Sequence, residues 1–450
     1  MKKVITYGTY DLLHQGHINL LKRAKALGDY LIVGVTNDNF DRQRGKLNVK
    51  NNVLERVEAV RATGIADKII IEDYFGQKID DIQKYNVDIF TVGSDWVGHF
   101  DYLKEFCEVV YLPRTEGISS TMLREKQDED VKIGVVGAGR IAKRFPAEAN
   151  VVSAVKIVGV YDIDKKKSEE LSTNAEIPGT LIYDSLERLV DEVDAVYIAT
   201  PHLCHYEQTR YALKHKKHVL CETPLVLKED QARELFKIAE ENNVILMEAN
   251  KTAHCPAFNH LITMIKSGWI GEVVDVEASE SKVWGDPTLR ELDPNQAGGS
   301  FYEMGSYPLL PIIKLMGIGF EKLNFYSRME NGVDIYTKGV MRYPKAVCSF
   351  KLGLGVKTEG NLVISGTKGY AYVPAPWWKT DYFELRYEDQ NKNKKFFYSW
   401  DGEGLRYEIQ EFISCIYNHR FSTARLRRKE SVAMAGIMEQ FTKRINFVEI

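Results

Sequence analysis

Between Lys2 and about Lys126 the short apolar runs VITYG, LIVGV, KIII and DIFTVG alternate with helical patterns at Ile18 to Leu27, Val53 to Arg61 and Lys78 to Tyr85. Such alternation predicts a parallel sheet with crossover helices. The acidic tract Gln127 to Asp130, which has no apolar residue, reads as a linker. At Val131 the pattern restarts with VKIGVVGAGRIA and continues to about Asn250 as a second α/β unit. Beyond Gly271 the longer stretches EVVDVEASES, AVCSFKLGL and GYAYVP predict a largely antiparallel sheet domain. The segment from Tyr407 to about Arg444 is helical and is read as packing back on an earlier domain. The expected class is α/β, with a first domain at 1–126, a linker at 127–130, a dinucleotide-binding domain at 131–255 and an α+β, mostly antiparallel domain at 256–450.

A chain of 450 residues exceeds what one hydrophobic core organises, which agrees with several domains. Its net charge of -3 gives no footprint for nucleic acid or an anionic membrane, so phosphate handling must be local. Met1 to Tyr10 runs straight into a strand pattern instead of a signal peptide, and no apolar run approaches a membrane span. A cytoplasmic protein with no membrane insertion is expected. The six cysteines include no CxxC pair and read as reduced core thiols.

The first candidate site is GTYDLLHQGH, Gly8 to His17, between the first strand and the first helix. His14 and His17 lie about one turn apart where backbone N–H groups face outward, which suits phosphate. Nucleotidyl transfer needs no protein nucleophile, because the substrate phosphate attacks the α-phosphorus while the protein supplies position and charge. A helix cap is the alternative for either histidine alone. The turn Gly8, Thr9, Tyr10 and Asp11, placed at a strand's carboxyl end, favours the ligand site. Downstream, RTEGISST offers a cation, a glycine and hydroxyls ahead of another helix, and Arg44, Lys46 and Arg56 add cations.

MKKVITYGTYDLLHQGH, GDYL, VGSDW and YLPRTEGISS together resemble the glycerol-3-phosphate cytidylyltransferase family from Met1 to about Lys126. The resemblance implies an HxGH nucleotidyltransferase of Rossmann-like fold acting on CTP with Mg2+ and a small polyol phosphate. By it, His14 and His17 stabilise the transition state, while Lys46, Arg114, Thr115 and Ser119 hold the triphosphate. Asp11 assists at the phosphate and metal end, Arg56 contacts phosphate, and Asp95 with Trp96 lines the cytidine pocket. Two departures bear on the acceptor: Ser94 replaces a second acid, and Gly64 stands where the family has an arginine, for which Arg61 is a substitute.

The second candidate site is the glycine turn after Val136, where Gly137 and Gly139 are followed by Arg140 and Ile141, with Asp162 ending the next strand. A GxGxxA turn with an acid some two dozen positions on is a dinucleotide pattern; Asp162 would bond the adenosine ribose and repel a 2′-phosphate, favouring NAD(H). A nucleotide-free relic of the fold is the alternative. His202 and His205, with only Cys204 nearby, do not make a zinc site.

The runs AVYIATPHLCHYEQTRYALKHKKHVLCETPLVL, EANKTAHCPAF and GGSFYEMGSYPL resemble the glucose-fructose oxidoreductase and inositol dehydrogenase family, Gfo/Idh/MocA, from Val131 to near the C-terminus. The family's EKP motif lies beside the nicotinamide; here it reads Glu222, Thr223, Pro224. With the lysine missing, Lys251 at the end of the next strand is the expected replacement, since adjacent strand ends converge. Glu303 stands for the family aspartate, and Tyr307 is either the proton donor or a packed aromatic. Thr200 and His205 are placed at the cofactor, His205 beside the nicotinamide ribose. Both families commonly associate, so a homodimer or higher homo-oligomer is expected. A fusion suits a second module that reduces a keto or aldose phosphate and a first that couples the polyol phosphate to CMP. A second module that binds NAD without turnover, transfer of AMP, and ribitol or another acceptor are the competing readings.

Overall fold

The computed structural model describes the whole chain except residues 44–48, 74–76, 99, 114–129, 175–179, 284–288 and 399. It divides into two units, Met1–Glu129 and Asp130–Ile450.

In the first unit β1 (Lys3–Gly8), β2 (Tyr30–Thr36), β3 (Lys68–Glu72), β4 (Ile89–Gly93) and β5 (Glu108–Leu112) form one sheet in the order β3-β2-β1-β4-β5. All pairs are parallel. The apolar runs are continuous because helices cover both faces. Val4, Leu31 and Val33 pack with Leu21 and Val60 on one face, whereas Ile5, Ile32 and Phe90 pack with Ile82 on the other. The chain winds outward from β1 through β2 to β3 and then returns to β4. The sheet therefore changes direction between β1 and β4, where such folds place ligands.

In the second unit β6 (Val131–Val136), β7 (Val155–Tyr161), β8 (Leu181–Ile182), β9 (Ala195–Ile198), β10 (His218–Glu222) and β11 (Leu246–Ala249) make a parallel sheet ordered β11-β10-β9-β6-β7-β8. Its change of direction falls between β6 and β9. The second sheet holds β12 (Val273–Ser281), β13 (Lys322–Glu330), β14 (Val333–Tyr343), β15 (Ala346–Gly353), β16 (Leu362–Gly366), β17 (Tyr370–Val373), β18 (Tyr382–Arg386), β19 (Lys394–Phe397) and β20 (Phe447–Glu449). The order is β19-β18-β17-β16-β12-β15-β14-β13-β20. It is mixed: β12 pairs parallel with β15 and β13 with β20, while the other pairs are antiparallel. The β12/β15 pair is parallel because helices Ser300–Met304 and Ser306–Met316 carry the chain away before the β13–β15 meander brings it back.

The helix Leu405–Tyr417 inserts Leu405, Ile409, Phe412 and Ile413 into the core beneath β6, β7 and β9. The helix Arg428–Thr442 gives Val432 and Ala435 to the dinucleotide-fold core and Met434, Ile437, Met438 and Phe441 to the core of the mixed sheet. Each large apolar side chain so buried contributes roughly 1.5–3 kcal/mol. The C-terminal helices thus clamp the two layers of this unit together. Among the described residues no helix is long and apolar enough to cross a membrane.

Candidate active sites

The turn after β1 is tightly built. Tyr10 and Leu12 adopt positive φ, 54° and 46°, a region that L-residues occupy only when their surroundings hold them there. A Cβ on Gly8 would stand 3.0 Å from the Tyr10 ring, so glycine lets the buried ring fold back over β1. The Thr9 hydroxyl donates to Asp41 at 2.8 Å, and Asp11 accepts from the backbone N–H groups of Lys50 and Asn51 at 3.1 and 2.9 Å.

His14 is the N-cap of the helix Gln15–Lys25: the Gly16 N–H donates to His14 Nδ1 at 3.1 Å. With Nδ1 accepting, the neutral ring carries its proton on Nε2 and presents a donor beyond the helix tip. Burial holds its pKa below the ordinary histidine value. The His17 ring stacks on it, with centroids 4.0 Å apart, and Tyr10 meets His17 edge-on at 5.5 Å. Two imidazoles thus share one helix terminus at the change of direction beside β4. The turn Ser94–Trp96 leaves the carboxyl end of that same β4, and Trp96 is half exposed beside Phe100.

Arg56, expected at a phosphate, is engaged by the protein itself. Its guanidinium is wholly buried and donates to Thr9 O at 2.6 Å, Asn51 O at 2.9 Å, Asp41 at 3.2 Å and Asp38 at 2.5 Å. It ties the β1 turn to the helix Asp38–Gln43 and therefore positions the site. Asp11 likewise holds a loop, since its carboxylate is buried on backbone amides. Gly64 has φ 65° just past the Thr63 cap of the helix Val53–Ala62, where a helix needs a left-handed residue to stop. Arg61 is exposed and paired with Glu58. Lys46, Arg114, Thr115 and Ser119 lie outside the described residues, as does the side chain of Asp95.

In the second unit Gly137 has φ 93°, and a Cβ there would stand 2.6 Å from Ala199 O. Around Gly139 a Cβ meets no protein atom within 4 Å, which leaves the backbone open to a close ligand. The helix after this turn is short, a single turn at Ala142–Arg144 followed by Phe145–Ala149. Asp162, just past β7, accepts from Ala138 N–H at 2.7 Å and from Asp164 N–H at 2.8 Å. This carboxylate and the open glycine fit a dinucleotide. Arg140 pairs with Glu291 at 3.0 Å, with Ile141 following it, and Thr200 donates to Gln208 at 2.6 Å.

The carboxyl end of the parallel sheet in this unit gathers ionisable groups that the sequence scatters. Glu222 ends β10 and pairs in register with Ala249 of β11, two residues before Lys251. Tyr197 on neighbouring β9 donates to Glu222 at 2.5 Å. Burial pushes Glu222 up to about 7. Glu280 of β12 is buried with Oε2 unpartnered, and burial raises it to about 8. Glu408, from the returning helix, is buried with Oε2 unpartnered and held well above the carboxylate range by burial and by Glu222. Lys251 sits within electrostatic reach of Glu222, Glu280 and Glu408; burial lowers its pKa, as do Lys379 and Arg144, against the pull of Glu408 and Glu222. The Tyr307 phenol faces the same three carboxyl groups and holds its proton far above the usual range, chiefly through burial.

Thr223 stands where the family has lysine, and its hydroxyl donates to buried Glu248 at 2.9 Å, which makes it a structural link to β11. His205, expected beside the cofactor ribose, bonds to the loops at that end of the sheet. It is fully buried, its Nδ1 lies 2.9 Å from Pro224 O and its Nε2 2.8 Å from Thr200 O, so it joins two loops that flank the site. Glu303 is held by Arg290 at 2.7 Å and raised to about 7 by burial. Glu280 and Glu408 escaped the motif reading, although a signal exists. Glu280 shares strand parity with buried Val276 and Ala278, and Glu408 lies on the apolar stripe of Leu405, Ile409 and Phe412. A carboxyl group on an inward-facing stripe marks a site.

Comparison with known proteins agrees with this division. Residues 5–126 match the cytidylyltransferase-like family, 131–250 the oxidoreductase family with NAD-binding Rossmann fold, and 258–372 the GFO/IDH/MocA C-terminal domain. The glycerol-3-phosphate cytidylyltransferase of Bacillus subtilis (strain 168) is 52% identical over 126 residues, 28% of this chain and 97% of that protein. The trans-1,2-dihydrobenzene-1,2-diol dehydrogenase of Oryctolagus cuniculus is 31% identical over 326 residues, 69% of this chain and 97% of its own. Among solved structures, a 3-ketoreductase from Actinomadura kijaniata in complex with NADP and TDP-benzene superposes with a TM-score of 0.64 at 20% identity, covering 72% of this chain and all of that one. A levoglucosan dehydrogenase bound to NADH and levoglucosan gives 0.63 at 16% identity, over 70% of this chain and 97% of that one. The chain therefore belongs to two families at once, the glycerol-3-phosphate cytidylyltransferases through its first unit and the Gfo/Idh/MocA oxidoreductases through its second.

Proposed function

We propose that this bifunctional chain makes a CDP-polyol: its second unit reduces a keto or aldose phosphate with NADH, and its first couples the resulting polyol phosphate to CMP. The observation that carries the reading is the stacked pair His14 and His17 on one helix tip at the β1/β4 crossing, in a unit so similar to glycerol-3-phosphate cytidylyltransferases. The polyol phosphate oxygen attacks the α-phosphorus of CTP and diphosphate leaves. His14, donating through Nε2, and His17 stabilise the charge that builds on the phosphate oxygens. Mg2+ accompanies the triphosphate, and glycerol phosphate is the favoured acceptor, ahead of ribitol phosphate.

In the second unit NADH, when held at the Gly137–Gly139 turn and Asp162, would supply a hydride to the carbonyl carbon. Lys251 takes the place of the missing motif lysine and delivers the proton to the carbonyl oxygen, with Tyr307 beside it. Burial lowers the Lys251 pKa, which makes its ammonium a better acid than a solvated one. Asp162 favours NADH over NADPH by repelling a 2′-phosphate. Such products feed the class of reactions that polymerise polyol phosphates, as in teichoic acid or capsule assembly, and they are made in the cytoplasm.

Incubation with CTP, Mg2+ and a panel of polyol phosphates should yield one CDP adduct, and ATP should not replace CTP. Replacing both His14 and His17 by alanine should abolish diphosphate release. A Lys251→Ala chain should lose NADH oxidation with dihydroxyacetone phosphate or ribulose 5-phosphate while still making the CDP adduct from supplied polyol phosphate. If it reduces as fast as the parent, Lys251 has no such role. Silence of the parent across the carbonyl panel would instead favour a second unit that binds dinucleotide without turnover, the reading that Thr223 suggests.

A further inference from the structure

The mouth of the Lys251 site carries a second constellation that neither the glycine turn nor the proton donors use. Arg144, at the end of the turn Ala142–Arg144, and Lys379, at the end of the turn Trp377–Lys379, both pair with Glu403, at 2.9 and 3.3 Å. All three side chains are partly open to solvent, at 37%, 32% and 41% exposure. Lys379 is tied to the catalytic end, because the Thr252 hydroxyl donates to Trp378 O at 2.6 Å, which bonds the residue after Lys251 to the residue before Lys379. Arg144 and Lys379 both act on Lys251, and Arg144 acts on Tyr307.

Glu403 is held in place by its loop and not merely by the two cations. Gly402 and Gly404 adopt φ 59° and 86°, and a Cβ on Gly402 would stand 2.0 Å from Glu148 Oε1. Buried Glu148 accepts from Glu403 N–H at 3.1 Å and from the Arg406 guanidinium at 2.8 and 3.1 Å. One carboxylate is thus fixed between two cations with a third, Lys251, behind them. Two cations share the single Glu403 carboxylate, and burial raises the deeper Glu222, Glu280 and Glu408 towards their neutral forms, so the mouth keeps an excess of positive charge. A neutral diol or sugar would gain nothing from that excess. An anionic group one short chain away from the reacting carbonyl would.

Resting on the reductase reading above, we infer that Arg144 and Lys379 form the phosphate subsite of the second unit, that its substrates are short carbonyl compounds bearing a terminal phosphate, and that Glu403 competes with that phosphate for the two cations. The carbonyl then lies at Lys251 and Tyr307, and the hydroxyl groups between face Glu222 and Glu280.

The test compares dihydroxyacetone phosphate with dihydroxyacetone on the full chain, following NADH oxidation. The parent should favour the phosphate, and in an Arg144→Gln, Lys379→Gln chain the ratio of kcat/KM for the two compounds should fall at least about tenfold, the worth of one charge-assisted contact. Glu403→Gln should raise the same ratio. A ratio unmoved by these changes overturns the subsite, even if the parent proves a good reductase. If the parent oxidises NADH with neither compound nor with any other carbonyl phosphate, the reductase reading fails by itself. Bound-NADH fluorescence, a signal local to the second unit, then decides: a saturable response to dihydroxyacetone phosphate that the double variant loses sustains the subsite, and no response in the parent overturns it.

Discussion

Arg56→Met removes four donated hydrogen bonds from the base of the cytidylyltransferase turn, two of them to carboxylates. Asp41 is the expensive one: it is 1% exposed and loses its contact with the Arg56 guanidinium. Breaking such a buried pair destabilises by about 3–5 kcal/mol. Asp38 is 18% exposed and regains water, which adds at most about 1 kcal/mol. Against a typical domain stability of roughly 5–15 kcal/mol the loss is a large fraction. It corresponds to a fall of roughly 10–20 °C in the transition of the first unit. Calorimetry on the full chain checks this, that transition being the one CTP shifts upward, and Arg56→Lys should fall between the two. An unchanged transition together with a KM for CTP raised tenfold would refute the reasoning and return Arg56 to the phosphate.

Three further outcomes are expected. Gly137→Ala should cost stability in the second unit as well as dinucleotide binding, since its Cβ meets Ala199 O, whereas Gly139→Ala should fold normally and weaken only NADH binding, read by fluorescence titration and thermal unfolding. Glu280 has its folded pKa, about 8, above the model-compound 4.5, so its contribution is fully present below pH 4.5 and is lost as pH rises through about 8. The second unit of the parent should therefore melt lower at pH 8 than at pH 5, and Glu280→Gln should flatten that slope; equal slopes would contradict the burial argument. Asp162→Asn should narrow the preference for NADH over NADPH, measured as the ratio of their KM values.

Local chemistry was legible in the sequence, and long-range partnership was not. The GTYDLLHQGH and GVVGAGRIA turns announce themselves because a strand end, a helix start and the ligand groups fall within a dozen residues. Trp96 could be placed at the same sheet end as the first of these turns only through the parallel pairing of β1 with β4. The role of Arg56 was invisible because its acids, Asp38 and Asp41, come from another helix. Gly64 reads as a lost arginine until the helix before it is seen to end there with positive φ. Thr223 reads as a mere loss of the lysine until Glu248, on the next strand, is found to accept a hydrogen bond from its hydroxyl. The largely antiparallel sheet was legible, but its two parallel pairs were not, because strand direction depends on the connection between strands and not on their side chains. Glu408 reaches the site only because its helix returns across the dinucleotide fold from the far end of the chain.

The most direct measurement supplies the full chain with dihydroxyacetone phosphate, NADH, CTP and Mg2+ and follows the phosphorus spectrum while recording absorbance at the nicotinamide band. The account expects CDP-glycerol and diphosphate to accumulate with NADH consumed one for one, and the CDP adduct to vanish when His14 and His17 are both alanine. A CDP adduct formed from supplied glycerol phosphate while NADH stays untouched by every carbonyl phosphate would contradict the coupled chemistry, and diphosphate release undiminished without the two imidazoles would contradict the transferase mechanism.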